Sequence, residues 1–110
     1  SDYLRRDWLK QLGKNGQWEI FSVELPALVN EDLETTCYAL QARVQTDSMA
    51  LREARPLWFV AQNLPQSCDP LFEALVRSQQ LSAEDIWARL RLALEAGQAG
   101  LAGRVAAFLP

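Results

Sequence analysis

Of the two cysteines in this chain, the first lies in the middle of an amphipathic stretch. Residues 31–47 place Leu33, Cys37, Leu40 and Val44 at intervals of four, three and four, the period of one helix face. Cys37 therefore belongs to an apolar stripe. Cys68 sits in a different setting, the turn-forming run Leu64-Pro65-Gln66-Ser67-Cys68-Asp69-Pro70, just before a helix start. Two readings are open. Both cysteines are buried free thiols in a reducing compartment, or the turn cysteine comes back onto the helix cysteine and bonds to it. A bond would tie three successive helices together. It would stabilise the fold by roughly 3–4 kcal/mol on the chain-entropy model and imply an oxidising compartment. With no histidine and no C-x-x-C pair, no metal centre is expected.

The rest of the chain also reads as helices. Residues 3–14 carry Leu4, Trp8 and Leu12 on one face, and Gly13 and Asn15-Gly16 are stop signals. Residues 17–25 follow with Trp18, Phe21 and Leu25, ended or kinked by Pro26. Asn30 is a candidate cap for the central helix. After Thr46-Asp47-Ser48 a fourth helix is expected to about Gln62, with Ala54, Leu57, Trp58 and Ala61 on its apolar face. Pro56 should kink it or mark a late start.

Asp69-Pro70 reads as a cap followed by a first-turn proline. Leu71, Phe72, Leu75 and Val76 then form the face of a fifth helix. Ser82 to Asp85 is a capping-box start to a helix over residues 83–96, which presents Ile86, Leu90, Ala93 and Leu94 with Trp87 beside them and is closed by Gly97. A last helix covers residues 98–109, with Leu101, Val105, Phe108 and Leu109. No stretch alternates as a strand does. Short loops imply antiparallel neighbours. The expected fold is one all-α domain over 1–110: helical hairpins stacked as a superhelix, about six to seven helices, no sheet. Tyr38, Ala39, Ala50, Arg55 and Phe59 align with Trp87, Ala88, Ala99, Arg104 and Phe108 at an offset of 49, a hint of a repeated hairpin. Small residues such as Ala39, Ala42 and Ala88 would let helices approach closely.

Composition narrows the function. A net charge of −3 argues against nucleic acid as a partner. No apolar run approaches the roughly 20 residues that span a bilayer. The chain opens on Ser1-Asp2 without a methionine, as a mature or excised protein does. The fourteen acidic residues fall mostly where helices want them, as Glu31, Asp32, Glu84 and Asp85 do in first turns. Without histidine the usual nucleophile–base pairs are missing, and no Gly-rich phosphate loop or cofactor motif is present. Trp8, Trp58 and Trp87 fall on apolar faces and are expected in the core. Tyr38, Arg43, Trp87 and Arg89 are the candidate ligand-facing residues, with solvated or salt-bridged arginine as the plainer reading of Arg43 and Arg89.

Five segments occur in order: Leu4-Arg5-Arg6-Asp7-Trp8-Leu9, Cys37-Tyr38-Ala39-Leu40-Gln41-Ala42-Arg43, Arg55-Pro56-Leu57-Trp58, Ser67-Cys68-Asp69-Pro70-Leu71-Phe72 and Trp87-Ala88-Arg89-Leu90-Arg91-Leu92-Ala93-Leu94. Together they resemble the amino-terminal superhelical region of the soluble lytic murein transglycosylases of Gram-negative bacteria. The resemblance implies a periplasmic parent enzyme that cleaves peptidoglycan glycan strands with 1,6-anhydromuramic acid formation. It implies a helical ring around a separate catalytic domain, and a disulfide between the equivalents of Cys37 and Cys68. The family's Glu-Ser motif and its Gly-Leu-Met-Gln-type segment are absent from these 110 residues, so no catalytic residue carries over. The expected partners are the glycan strand, through the full-length protein, and the remaining helical and catalytic domains. The alternative is an independent helical-repeat adaptor that binds other proteins.

Overall fold

The computed structural model describes residues 1–59 and 64–110, and among them the chain is all helix and turn, with no strand. Seven α-helices follow one another: α1 (Asp2–Lys14), α2 (Trp18–Glu24), α3 (Leu33–Val44), α4 (Arg55–Trp58), α5 (Asp69–Arg77), α6 (Ala83–Glu95) and α7 (Ala99–Ala106). Three 3-10 turns, Leu25–Ala27, Ser48–Ala54 and Gln66–Cys68, lie between them. The all-α class expected from the sequence is the class observed.

Helix α3 is the axis of the body. On a 3.6-residue period its Cys37 and Leu40 share one side, while Ala39 and Ala42 lie on the opposite side. Each side is buried in its own core. Cys37 and Leu40 join the larger core with Trp58, Phe72, Leu75 and Ile86, and Leu33 and Val44 pack at its margin. Ala39 and Ala42 join a smaller core with Leu9, Leu12 and Phe21 of α1 and α2. The alanines are small enough to let α1 and α2 lie close against α3. The two cores lie side by side in a body of 40 × 28 × 20 Å.

The caps follow simple chemistry. Asp32, not Asn30, caps α3: its Oδ1 accepts from the Thr35 amide at 2.9 Å and from the buried Thr35 hydroxyl at 2.6 Å. Asn30 instead offers its carbonyl to the Arg6 guanidinium. Ser82 and Asp85 form the expected capping box on α6. Asp69 does not cap α5; Cys68 holds that position without a side-chain bond, and the Asp69 carboxylate is turned to Arg104. Pro56 marks a late start: the chain runs as a 3-10 helix over Ser48–Ala54 and becomes α-helical only at Arg55. The expected continuation through Ala61 and Gln62 lies outside the described residues. Gly16 and Gly97 take φ of +68° and +71° and end α1 and α6, as glycine at a helix end should.

Two expected faces hold in part: Leu12 of α1 and Ile86, Leu90 and Ala93 of α6 are buried as expected. In α1 the buried residues are Leu9, Leu12 and Gly13, while Leu4 and Trp8 face outward. In α6 the buried stripe is Ile86, Arg89, Leu90 and Ala93, which leaves Leu94 exposed and Trp87 47% exposed. The position one turn above Ile86 goes to an arginine that serves the carbonyl end of α4: Arg89 Nη1 donates to the Trp58 carbonyl at 2.8 Å. Of the three tryptophans expected in the core, only Trp58 is buried. It meets Phe72 and Phe108 edge-on, with ring centroids 5.0 and 5.3 Å away, and its indole N–H donates to the Asp85 carbonyl.

The Cys37–Cys68 disulfide crosses the larger core, with both residues fully buried and their Cα atoms 5.0 Å apart. It closes a segment with a sequence separation of 31. Replacing both cysteines with alanine is expected to lower unfolding stability by about 3–4 kcal/mol, measured by denaturant titration. A change under about 1 kcal/mol would mean that the packing of α3 against α5 holds this region without the bond.

Candidate functional site

Two depressions lie on either side of the segment that the disulfide anchors. The first, about 480 Å³, is walled by α1 and α3 through Lys14, Glu34, Tyr38 and Gln41, and closed by Pro65 and Gln66. The second, about 470 Å³, lies between α5 and α7 and is lined by Gln66, Asp69, Glu73, Arg77, Arg104 and Phe108. Gln66 belongs to both. Each volume lies within the roughly 300–1,000 Å³ usual for small-molecule sites.

The walls of the first depression are rigid. The Gln41 amide donates to the Ser67 carbonyl at 2.7 Å, and the Ser67 hydroxyl donates to the Glu34 carbonyl at 2.9 Å, stitching the turn to α3. Tyr38 lies over Gly13, which the sequence suggested as a stop signal and which is instead buried within α1. A Cβ added there would overlap the base of the Tyr38 ring and come within 2.6 Å of its Cδ1. Lys10 holds Asp32 at 2.8 Å and Glu34 at 3.2 Å. Burial works against the charged form of Asp32, but the bonds from Lys10 and Thr35 outweigh it and lower its pKa from 3.8 to about 2. Burial pushes the Tyr38 phenol up, with Glu34 adding to the effect.

In the second depression Arg104 clamps the turn. Its Nη1 donates to the Leu64 carbonyl at 2.8 Å and its Nη2 to Asp69 at 3.2 Å. Burial pushes the Asp69 carboxyl up, against the opposing pull of Arg104. Lys14, Glu73 and Arg77 are exposed and make no ion pair among the described residues.

The four candidate ligand-facing residues do not converge on one site. Tyr38 lines the first depression. Arg43 points into a separate, smaller hollow of about 200 Å³ and is paired with Glu53. Trp87 is half exposed on α6. Arg89, expected in solvent or in a salt bridge, is 3% exposed and stands over the Trp58 ring at 5.7 Å. Burial, with Arg104 nearby, lowers its pKa. Sequence reasoning missed Lys14, Gln66 and Arg77. Gln66 lies in an aperiodic turn, and only the return of that turn onto α3 brings it between the two hollows.

The carboxylates are largely occupied. Asp2 accepts from the Val29 and Asn30 amides and pairs with Arg6, while Glu24 pairs with Arg5. Asp47 caps the 3-10 turn after α3, and Asp85 accepts from the Ser82 amide in the α6 capping box. Among the described residues, no group of three or more Asp, Glu or Cys side chains is placed to hold a metal ion, and no helix is long and apolar enough to cross a membrane.

The chain is similar to a soluble lytic murein transglycosylase of Salmonella typhimurium, at 29% identity over 113 residues. The alignment takes in 97% of this chain and 17% of the relative, so the chain spans about a sixth of that protein's length. The similarity supports a relationship to that family. No family model matches the chain, and no solved structure matches it.

Two measurements check this geometry. Gly13→Ala, which helix propensity alone would favour by up to about 1 kcal/mol, is expected instead to destabilise by about 1–3 kcal/mol because the Tyr38 ring must move. A stabilised variant would mean that the ring has room to yield. For Asp32, a lowered pKa means stability that is full above about pH 4 and is lost as the pH falls from 3.8 toward about 2. Asp32→Asn keeps a capping oxygen but no charge, so it should flatten the acid limb of the stability curve over that range. An unchanged limb in pH-dependent thermal melts would assign it to other carboxylates.

Proposed function

We propose that this chain is a non-catalytic segment of the amino-terminal helical body of a periplasmic lytic transglycosylase, a lyase that cleaves peptidoglycan glycan strands and leaves 1,6-anhydromuramic acid. Its task is to shape the helical ring and help hold the murein strand while a separate domain carries out the cleavage. The observation that carries this reading is the similarity to the Salmonella typhimurium transglycosylase along 97% of the chain. The helical fold and the disulfide support it, since buried disulfides persist in oxidising compartments such as the periplasm.

The non-catalytic part has its own support. A general acid for glycoside cleavage needs a carboxyl raised by an apolar, enclosed setting. Here Asp69 is the carboxyl pushed upward, and Arg104 holds it. Asp7, Glu19, Glu31, Glu73, Glu84 and Glu95 all lie exposed to water. The outward-facing Tyr3, Leu4 and Trp8 of α1 form an apolar strip suited to packing against the remaining helical domain of the parent chain.

The test incubates the isolated chain with purified murein sacculi, following both co-sedimentation and soluble product. Co-sedimentation without release of anhydromuropeptides is the expected outcome. Release of anhydromuropeptides would overturn the non-catalytic assignment. Failure to sediment with sacculi would favour the helical-repeat adaptor that binds other proteins.

A further inference from the structure

We propose that the two depressions meeting at Gln66 form one binding groove for a short, extended peptide carrying charges of both signs. The first support is placement. The shared wall is the 64–70 turn, held to α3 by the disulfide and by Gln41, and held to α7 by Arg104. A groove whose shared wall is fixed at three points loses little on ordering when a ligand binds.

The second support is what remains available. Within the groove Glu34 is engaged by Lys10, and Asp69 by Arg104. Lys14 at one end, and Glu73 and Arg77 at the other, make no ion pair among the described residues. The exposed Gln66 amide between them can both donate to and accept from a peptide bond. The free charges are therefore two cations and one anion, spread along the groove.

This chemistry favours a peptide over a neutral saccharide. Sugar recognition uses an open aromatic face, and the rings here are engaged. Tyr38 is pressed on Gly13 and tilted against Trp18 at a centroid distance of 6.4 Å. Phe108 is packed edge-on against Trp58 and Phe72. Charged side chains at both ends, by contrast, add little affinity for an uncharged glycan but position a peptide's carboxylates and amine. The inference rests on the groove alone and stands or falls apart from the wall-enzyme reading.

The experiment titrates the isotope-labelled chain with the tetrapeptide Ala-Glu-Lys-Ala and, separately, with chitotetraose, following amide shifts by NMR. The peptide is expected to shift the Gln66 side-chain amide and the backbone near Lys14 and Arg77, and chitotetraose to leave them in place. Lys14→Met, Gln66→Ala and Arg77→Met alter exposed side chains and should leave the fold intact, as circular dichroism will show. Each is expected to weaken peptide binding several-fold, and raising the salt should do the same. Absence of peptide binding, stronger binding of chitotetraose, or peptide binding unchanged in all three variants would each overturn the proposal.

Discussion

The Cys37–Cys68 bond determines where the rest of the chain can go. Its two residues come from unlike settings, one from the middle of α3 and the other from the mouth of α5. Joining them brings the aperiodic 64–70 turn down onto a helix that already separates two cores. A turn rich in proline and polar side chains has little hydrophobic surface with which to anchor itself. Here the covalent tie, the Gln41 amide and the Ser67 hydroxyl share that work, and the turn becomes a fixed wall. The helix between the two cores is thereby fastened on the side of the larger one.

Arginines close what the apolar residues leave open. The last carbonyl of α4 belongs to Trp58, and a buried helix end without a partner is costly. Arg89 reaches it from α6 and lays its guanidinium over the same indole ring. Arg104 does the corresponding work for Leu64 and Asp69 from α7. Both are long side chains whose apolar stems cross the core margin while the planar head meets oxygen atoms. The edge-on cluster of Trp58, Phe72 and Phe108 packs beneath them, so α4, α5 and the end of the chain meet at one point.

Much of this was legible in the sequence, for reasons that can be named. The stripe through Leu33, Cys37, Leu40 and Val44 has a strong helical period, and its orientation is as read. The Ser82 capping box, the Gly97 stop and the late start at Pro56 are local chemistry, settled by neighbours in sequence. The failures are tertiary. Leu4 and Trp8 match an apolar period as well as Leu9 and Leu12 do, and only the position of α2 and α3 decides which pair turns inward. Arg89 sits in the core where it donates to the Trp58 carbonyl, 31 residues away in sequence, a contact that no periodicity can register. Gly13 reads as a breaker in one dimension and is a contact point in three, since Tyr38 occupies the space where its Cβ would be.

The candidate site was the least legible part for the same reason. Tyr38, Arg43, Trp87 and Arg89 carry their chemistry on regular helices, and helices carry their side chains to different sides of the body. What gathers polar groups into one hollow is the crossing of elements distant in sequence, here α1, α3 and the disulfide-bound turn on one side of Gln66 and α5 with α7 on the other. The aromatic residues at these crossings are consumed in packing, and the carboxylates nearest the core are neutralised by Lys10 and Arg104. The groups left over are those on the rim. In a scaffold whose interior carboxylates are already paired, the groups left open to a partner are exposed charges of both signs, one amide and the shape of a groove.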